Sequence, residues 1–374
     1  MKKYTVLNVF FIVLVGTVFS QEKQNSFKYI EVTSHYGSYF YSGEGLQDTG
    51  ILDLGYGGLD VKFGWQPSNK KHWASMYGYP SYGFGAYVGF LGNSKVFGNP
   101  NALFGFINFP IGNQNKKNVF SVEPAVGIAY NFNAFDPESN PLNDAIGAKA
   151  AVYFSLDFGG RYQLTRELDF KYGIDFTHFS NGRTYSPNYG LNMFGINLGL
   201  RYNYNSNQKE LDNNVYTTNT LVARFQRPIS TLKEKINDHT ISFYAAIGTV
   251  QNVENKGTDH RYGTFSGVIE YQYRLNVMSG FSAGIDFFYD GSLTQYTNKH
   301  LMAAHIGYDL MFWKLEMKFQ ALTYITDSKG KSNFFFRPAL RYNISKRFFA
   351  QVGLKTDGGA DWVEYGIGFK PFNW

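Results

Sequence analysis

The stretch Leu168–Ser180, LDFKYGIDFTHFS, alternates apolar and polar residues along its length. In an extended strand, successive side chains point to opposite faces. Leu168, Phe170, Tyr172, Ile174 and Phe176 therefore share one face, and His178 and Ser180 continue it. Asp169, Lys171, Asp175 and Thr177 share the other. A base and a hydroxyl at the end of an apolar stripe suit ester chemistry on a lipid.

The pattern recurs outward from this strand. Ala150, Val152, Phe154, Leu156, Phe158 and Tyr162 oppose Ser155, Asp157, Arg161 and Gln163. Trp313, Leu315, Met317 and Phe319 oppose Lys314, Glu316, Lys318 and Gln320. Phe334, Phe336, Leu340 and Tyr342 oppose Asn333, Arg337 and Arg341. Charges on the second face need water or partners, so that face reads as a polar lumen and the apolar one as a lipid-facing wall.

Composition points the same way. Tyr and Phe contribute 29 and 36 of 374 residues, Gly another 40, and charged residues only 17%. Residues 1–20 read as a signal peptide: Lys2 and Lys3, an apolar run from Val6 to Phe19, then Val18 and Ser20 before a cut at Gln21. Beyond it no run reaches the ~18 apolar residues of a spanning helix. There is no Cys, so disulfides, thiol catalysis and a lipoprotein anchor are not expected. The net charge of +6 is spread along the chain and reads as a solvated surface. The fold class expected is all-β, a transmembrane antiparallel barrel with both ends of the chain in the periplasm.

Segments near the ~9–11 residues of a tilted strand lie at 27–40, 55–67, 81–92, 101–112, 120–132, 149–164, 168–180 and 193–205. A polar stretch, 206–239, reads as a linker or long turn that could hide a further strand at Thr220–Gln226. More strands follow at 240–250, 264–276, 280–290, 301–311, 313–325, 333–343, 348–356 and 362–372, ending in Phe372 and Trp374. The domains expected are thus 1–20, 21–205 carrying the site, 206–239, and 240–374. One barrel of about 14–16 strands is preferred over two eight-stranded units, because tandem barrels are rare, although eight strands close around side chains. Connections such as Thr165–Glu167 are short periplasmic turns. Gln66–Pro80 is long for one. Odd-numbered strands run outward, which carries His178 and Ser180 to the outer leaflet.

A bare His-x-Ser is common, and its bland reading is an interfacial His beside a loop Ser. Three features add to it. Residues i and i+2 on one strand face lie about 7 Å apart at Cα, within reach of an imidazole–hydroxyl bond. Asn192 shares parity with Phe194, Ile196, Leu198 and Leu200; with Asn181–Leu191 as the loop, it is expected opposite Ser180 and diagonal to His178. There it would orient the imidazole, as Asn does in Cys-His-Asn enzymes. Asn181 and Gly182 follow the hydroxyl and supply oxyanion donors.

The block His178-Phe-Ser180-Asn181-Gly182, then Pro187-Asn188-Tyr-Gly190 and an apolar strand, resembles the lipid A 3-O-deacylase (PagL-like) outer-membrane family, whose relatives often carry the label acyloxyacyl hydrolase. The resemblance covers residues 27–205 and implies Ser180 as nucleophile, His178 as general base, oxyanion help from Asn181 and Gly182, and a supporting role for Asn188. The family has Glu where this chain has Asn192; Asn orients the imidazole but does not stabilise imidazolium by charge. His-x-Ser-Asn-Gly-Arg, through Arg183, also resembles outer-membrane phospholipase A, whose triad is Ser, His and Asn.

The first expectation is therefore a serine esterase acting on lipid A, without a cofactor or metal. A calcium-dependent phospholipase is the second, with Ser186 and carbonyls near Arg183, or the loop Asp136, Glu138 and Asp144, as weak calcium ligands. The third is a non-enzymatic porin or structural barrel. His35 and Ser34 face opposite ways, and His300 and His305 lack ligand-like neighbours in sequence. Asp157, Arg161, Asp169, Lys171 and Asp175 read as lumen ion pairs. The partners expected are lipid A or another outer-leaflet lipid, and no nucleic acid.

Overall fold

The computed structural model describes residues 26–373, apart from 42, 44, 47–48, 68–72, 114–115, 166 and 205–237. The expected signal peptide, the strand at Thr220–Gln226 and the linker up to residue 237 thus lie outside the described residues, while Asp238 and His239, read as its end, begin a strand. Eight antiparallel strands form the first sheet: β1 (Ser26–Tyr39), β2 (Tyr56–Pro67), β3 (Ser81–Phe90), β4 (Gly98–Ile111), β5 (Asn118–Phe132), β6 (Ala150–Gln163), β7 (Leu168–Ser180) and β8 (Leu191–Tyr204). Eight more form the second: β9 (Asp238–Val250), β10 (Tyr262–Arg274), β11 (Ser279–Asp290), β12 (His300–Phe312), β13 (Leu315–Tyr324), β14 (Phe334–Asn343), β15 (Phe348–Thr356) and β16 (Ala360–Asn373).

Each sheet closes on itself, β8 pairing with β1 and β16 with β9. The antiparallel barrel class and the total of sixteen strands agree with the alternation. Their distribution corrects the preference for one barrel: there are two of eight strands each, the second arrangement weighed above. The physical reason lies in the lumens, where eight strands leave just enough room for packed side chains.

In the first barrel Glu31 sits at the centre. It takes hydrogen bonds from Arg201 Nε at 2.7 Å and Lys171 Nζ at 3.0 Å, while Lys62 Nζ reaches Glu123 at 2.6 Å. Glu31 and Arg201 are register partners across the closing β1–β8 pair, so the ion pair spans the seam. The second barrel repeats the plan with other residues. Glu270 pairs with Arg341 at 3.0 Å and Lys318 at 3.2 Å, and Arg337 with Asp286 at 2.6 Å. These side chains are buried. A buried charge survives only when paired, so the polar faces read from sequence become two interlocking ionic cores.

The opposite faces are apolar and exposed, among them Leu103, Phe158, Ile174, Ile196, Ile269 and Ile306. In water so large an apolar band would aggregate; an apolar outer wall around a polar lumen is the pattern of a membrane-spanning barrel.

The oversized connection between β2 and β3 also finds its reason. It carries a short 3-10 helix, Trp73–Tyr77, that reaches the second barrel at the end bearing the short turns. Trp73 stacks on Trp313 with ring centres 4.8 Å apart and planes within 10°, and Phe312 meets Trp73 edge-on. Trp313 N–H donates to the Tyr77 hydroxyl at 2.8 Å. Trp313 has φ 54°, a conformation costly for a bulky residue, and these contacts hold it there.

Candidate active site

β7 ends at Ser180, and with it the outward stripe. Inward, Lys171, Asp175 and Thr177 are buried in the lumen as expected, followed by Phe179. Outward, His178 stacks parallel to Phe176, ring centres 6.4 Å apart. Its Nδ1 donates to Asn192 Oδ1 at 2.7 Å, which leaves Nε2 as the basic nitrogen.

The register differs from the sequence expectation. Asn192 lies directly opposite His178, not opposite Ser180, because the ladder runs through Phe179↔Leu191 and stops. Ser180 therefore belongs to the loop as much as to the strand. The shift brings Asn192 into better position for the imidazole than the diagonal placement would.

The loop between β7 and β8 folds back over the hydroxyl. Ser180 Oγ accepts hydrogen bonds from Gly182 N–H at 3.1 Å and from Asn188 Nδ2 at 2.9 Å. Asn188 Oδ1 meanwhile accepts from Asn181 N–H at 2.9 Å. One amide thus staples both ends of the loop around the serine. Among the described residues no His178–Ser180 hydrogen bond is present; such contacts commonly tighten only with substrate bound.

Asn181 has a different character. It is 8% exposed, and both polar atoms of its side-chain amide lack a partner. A buried amide without a partner costs free energy, and it commonly marks a place where function requires a donor. Two glycines permit the geometry. Gly182 has φ 63° and Gly190 φ 75°, and a Cβ on Gly190 would fall 3.0 Å from His178 Cε1. Gly190 N–H is itself tied to Ala145 O at 2.9 Å.

The residues named for calcium do not gather. Asp136 accepts the Ser139 and Glu138 N–H groups, which hold its carboxyl below the usual range. Asp144 accepts from Gly45 N–H and the Tyr41 hydroxyl. Among the described residues no three His, Cys, Asp or Glu side chains converge to hold a metal. Ser186 spends its N–H on Gln251.

The other histidines weighed from the sequence are elsewhere. His35 is buried in the first lumen between Asp60 at 2.8 Å and Asp175 at 3.2 Å. His305 lies in the second, against Asp286 and Glu270. Those carboxylates come from other strands, so sequence neighbours did not reveal them. His300 stacks on Phe287 on the outer wall. Sequence reading also missed Gln251, Asp361 and Val363 of the second barrel, which touch the site loop.

Fold and site together define a two-barrel β protein with serine, histidine and asparagine gathered on the outside of one barrel. Two family models match consecutive parts of it: lipid A 3-O-deacylase (PagL) over residues 57–201, and the acyloxyacyl hydrolase C-terminal domain over residues 239–374. The first runs from β2 into β8 and the second from β9 through β16, and the chain belongs to this lipid A deacylase family. Curated proteins give no match. Solved structures similar to the chain include a mutant of Rh. blastica porin, at 10% identity over 92% of this chain and 99% of that one, with a TM-score of 0.22. OccAB1 of Acinetobacter baumannii is 9% identical over 95% and 98%, with a TM-score of 0.25. OccK5 of Pseudomonas aeruginosa is 10% identical over 93% and 98%, at 0.22. Superpositions this loose bear on neither function nor architecture.

Proposed function

We propose that this protein is an outer-membrane serine esterase that removes an ester-linked acyl chain from lipid A. The observation that carries the reading is the pairing of two built halves on one wall: a His178–Asn192 hydrogen bond, and a Ser180 hydroxyl cradled by Gly182 and Asn188. Family membership supports the substrate, and the apolar wall supports sideways entry of a lipid from the leaflet. Residues 1–20 serve as the export signal, and β7 carries the site to the outer leaflet.

In this mechanism neutral His178 takes the Ser180 proton at Nε2 as Oγ bonds to the acyl carbonyl carbon. The carbonyl oxygen becomes an oxyanion against Gly182 N–H and the Asn181 amide. Collapse expels the sugar oxygen, which receives the proton from His178. Water, deprotonated by His178, then attacks the acyl-serine carbonyl, and Ser180 Oγ leaves with that proton as the fatty acid is released. Lipid A mass spectrometry on cells carrying wild type or Ser180→Ala tests this. Loss of one acyl chain with wild type alone is expected; identical acyl patterns with both proteins folded would sink the reading.

One observation favours a second reading. Asn192, rather than Glu, holds His178, as in the resemblance to outer-membrane phospholipase A. Calcium-dependent release of fatty acid from phosphatidylethanolamine, with lipid A untouched, would replace the first reading with this one. A porin role has less support, since both lumens are filled by ion-paired side chains.

A further inference from the structure

The second barrel has no part in the serine–histidine pair, yet it grips the loop that cradles the serine. We propose that Gln251, just past the end of β9, is a positioning residue through which the second barrel holds the oxyanion loop in its working shape. This rests on the reading of Ser180 as nucleophile.

The contacts run through almost every residue between Gly182 and Ser186. Gln251 Oε1 accepts Ser186 N–H at 2.6 Å. The Gln251 backbone exchanges two further bonds with Arg183: its N–H donates to Arg183 O at 3.1 Å, and its carbonyl accepts Arg183 Nε at 3.2 Å. Gln251 Nε2 is committed to Thr258 O at 2.7 Å and His260 O at 3.1 Å, so its side chain is fixed by its own loop. The residue is fully buried. All four of its polar groups are therefore used, three of them on the site loop.

Neighbouring contacts reinforce the grip. Arg183 Nη1 reaches Asp361 on β16 at 3.4 Å. The Arg261 guanidinium lies over the Tyr185 ring at 4.8 Å. Gly182 sits so close to β16 that an added Cβ would meet Val363 Cγ2 at 2.0 Å. The first barrel packs on the same loop, with Gly147 lying against Tyr185–Pro187, and it holds the far edge through Tyr189 and Gly190 N–H to the Asp144 and Ala145 carbonyls.

The two donors to Ser180 Oγ, Gly182 N–H and Asn188 Nδ2, flank the stretch that Gln251 holds. The second barrel therefore adds to the Asn188 staple in setting their separation. A misplacement of about 1 Å in such a site costs about 100-fold in rate. On this view the second barrel is a rigid wall that keeps a ten-residue loop from relaxing, and the catalytic unit needs both barrels.

The test uses the full chain in detergent micelles, with two readouts: hydrolysis of a p-nitrophenyl acyl ester, and the rate at which a fluorophosphonate probe labels Ser180. Gln251→Met keeps the volume and removes the acceptor. It is expected to lower kcat about 10- to 100-fold with KM little changed, and to slow labelling in parallel, while the folded barrel band in unheated electrophoresis persists. Arg183→Met cuts the same grip from a half-exposed position that tolerates change, and decides the matter if Gln251→Met does not fold. A folded variant with wild-type kcat and labelling overturns the inference, as does a change in KM alone. A wild-type chain that the probe leaves unlabelled removes the functional reading itself, and the inference with it.

Discussion

His178 Nδ1 and Asn192 Oδ1 are 2.7 Å apart on directly opposed residues of β7 and β8. The bond fixes the imidazole tautomer and leaves Nε2 as the basic nitrogen, but it supplies no negative charge for the imidazolium of the transition state. Asn192→Ala is expected to lower kcat about 100-fold, the scale of a lost orienting contact. Asn192→Glu should restore orientation and add charge, raising kcat several-fold above wild type. Esterase assays on folded protein decide this. An Asn192→Ala variant at wild-type rate would leave Asn192 no role.

The lumen of the first barrel makes a prediction of the opposite kind, large in stability and small in chemistry. Glu31→Ala removes the carboxylate that Arg201 ion-pairs with at 2.6 Å and takes one of several carboxylates from Lys171 and Lys62. Breaking a buried ionic set from one side costs about 3–5 kcal/mol. The variant should lose its folded electrophoretic band at a clearly lower temperature, while esterase activity persists in the cold because Ser180 and His178 lie outside the barrel. An unchanged melting temperature would mean that the charges are not energetically linked.

Most of the strands were legible because a closed wall between lipid and an ionic core enforces strict alternation. Leu168–Ser180 is read from sequence with its bounds unchanged, and the other strands shift by three residues at most. Closure was not legible. Nothing local to β1 or β8 announces that Glu31 meets Arg201, so one barrel and two looked alike. The site divides in the same way. His178 and Ser180 follow from parity along one strand, Asn181 and Gly182 from their place after the serine and Asn188 from the family resemblance, whereas the register that sets Asn192 against His178 depends on where the β7–β8 ladder stops. The role of Gln251 belongs to contacts between barrels, which alternation does not encode. The one local sign was the overlong Gln66–Pro80 connection, whose Trp73 and Tyr77 dock on the second barrel.

That docking is testable because the chain has no Cys, so introduced thiols are unique. Spin labels on Ile111→Cys and Met278→Cys, both exposed, would report the distance between barrels near their turn ends. One narrow distance distribution is expected, broadened in Trp73→Ala, which removes the partner of Trp313. A distribution as narrow in the variant as in the parent would show that the stacking does not hold the barrels together.

Asn181 separates function from stability most sharply. Its amide, on the residue that follows Ser180, is buried with neither polar atom satisfied, so in the resting protein it is a cost. Asn181→Leu replaces it with an apolar group of similar size, and stability should be equal or higher because the unpaired polar atoms are gone. The oxyanion, however, loses a donor, and losses of that kind reduce kcat about 100- to 1000-fold. KM should change little, since the interaction forms only once charge develops on the carbonyl oxygen. Thermal unfolding and esterase kinetics on the same preparation check both halves. A fall in activity matched by a fall in melting temperature would assign Asn181 to packing, while unchanged kcat would leave Gly182 and Asn188 to carry the oxyanion.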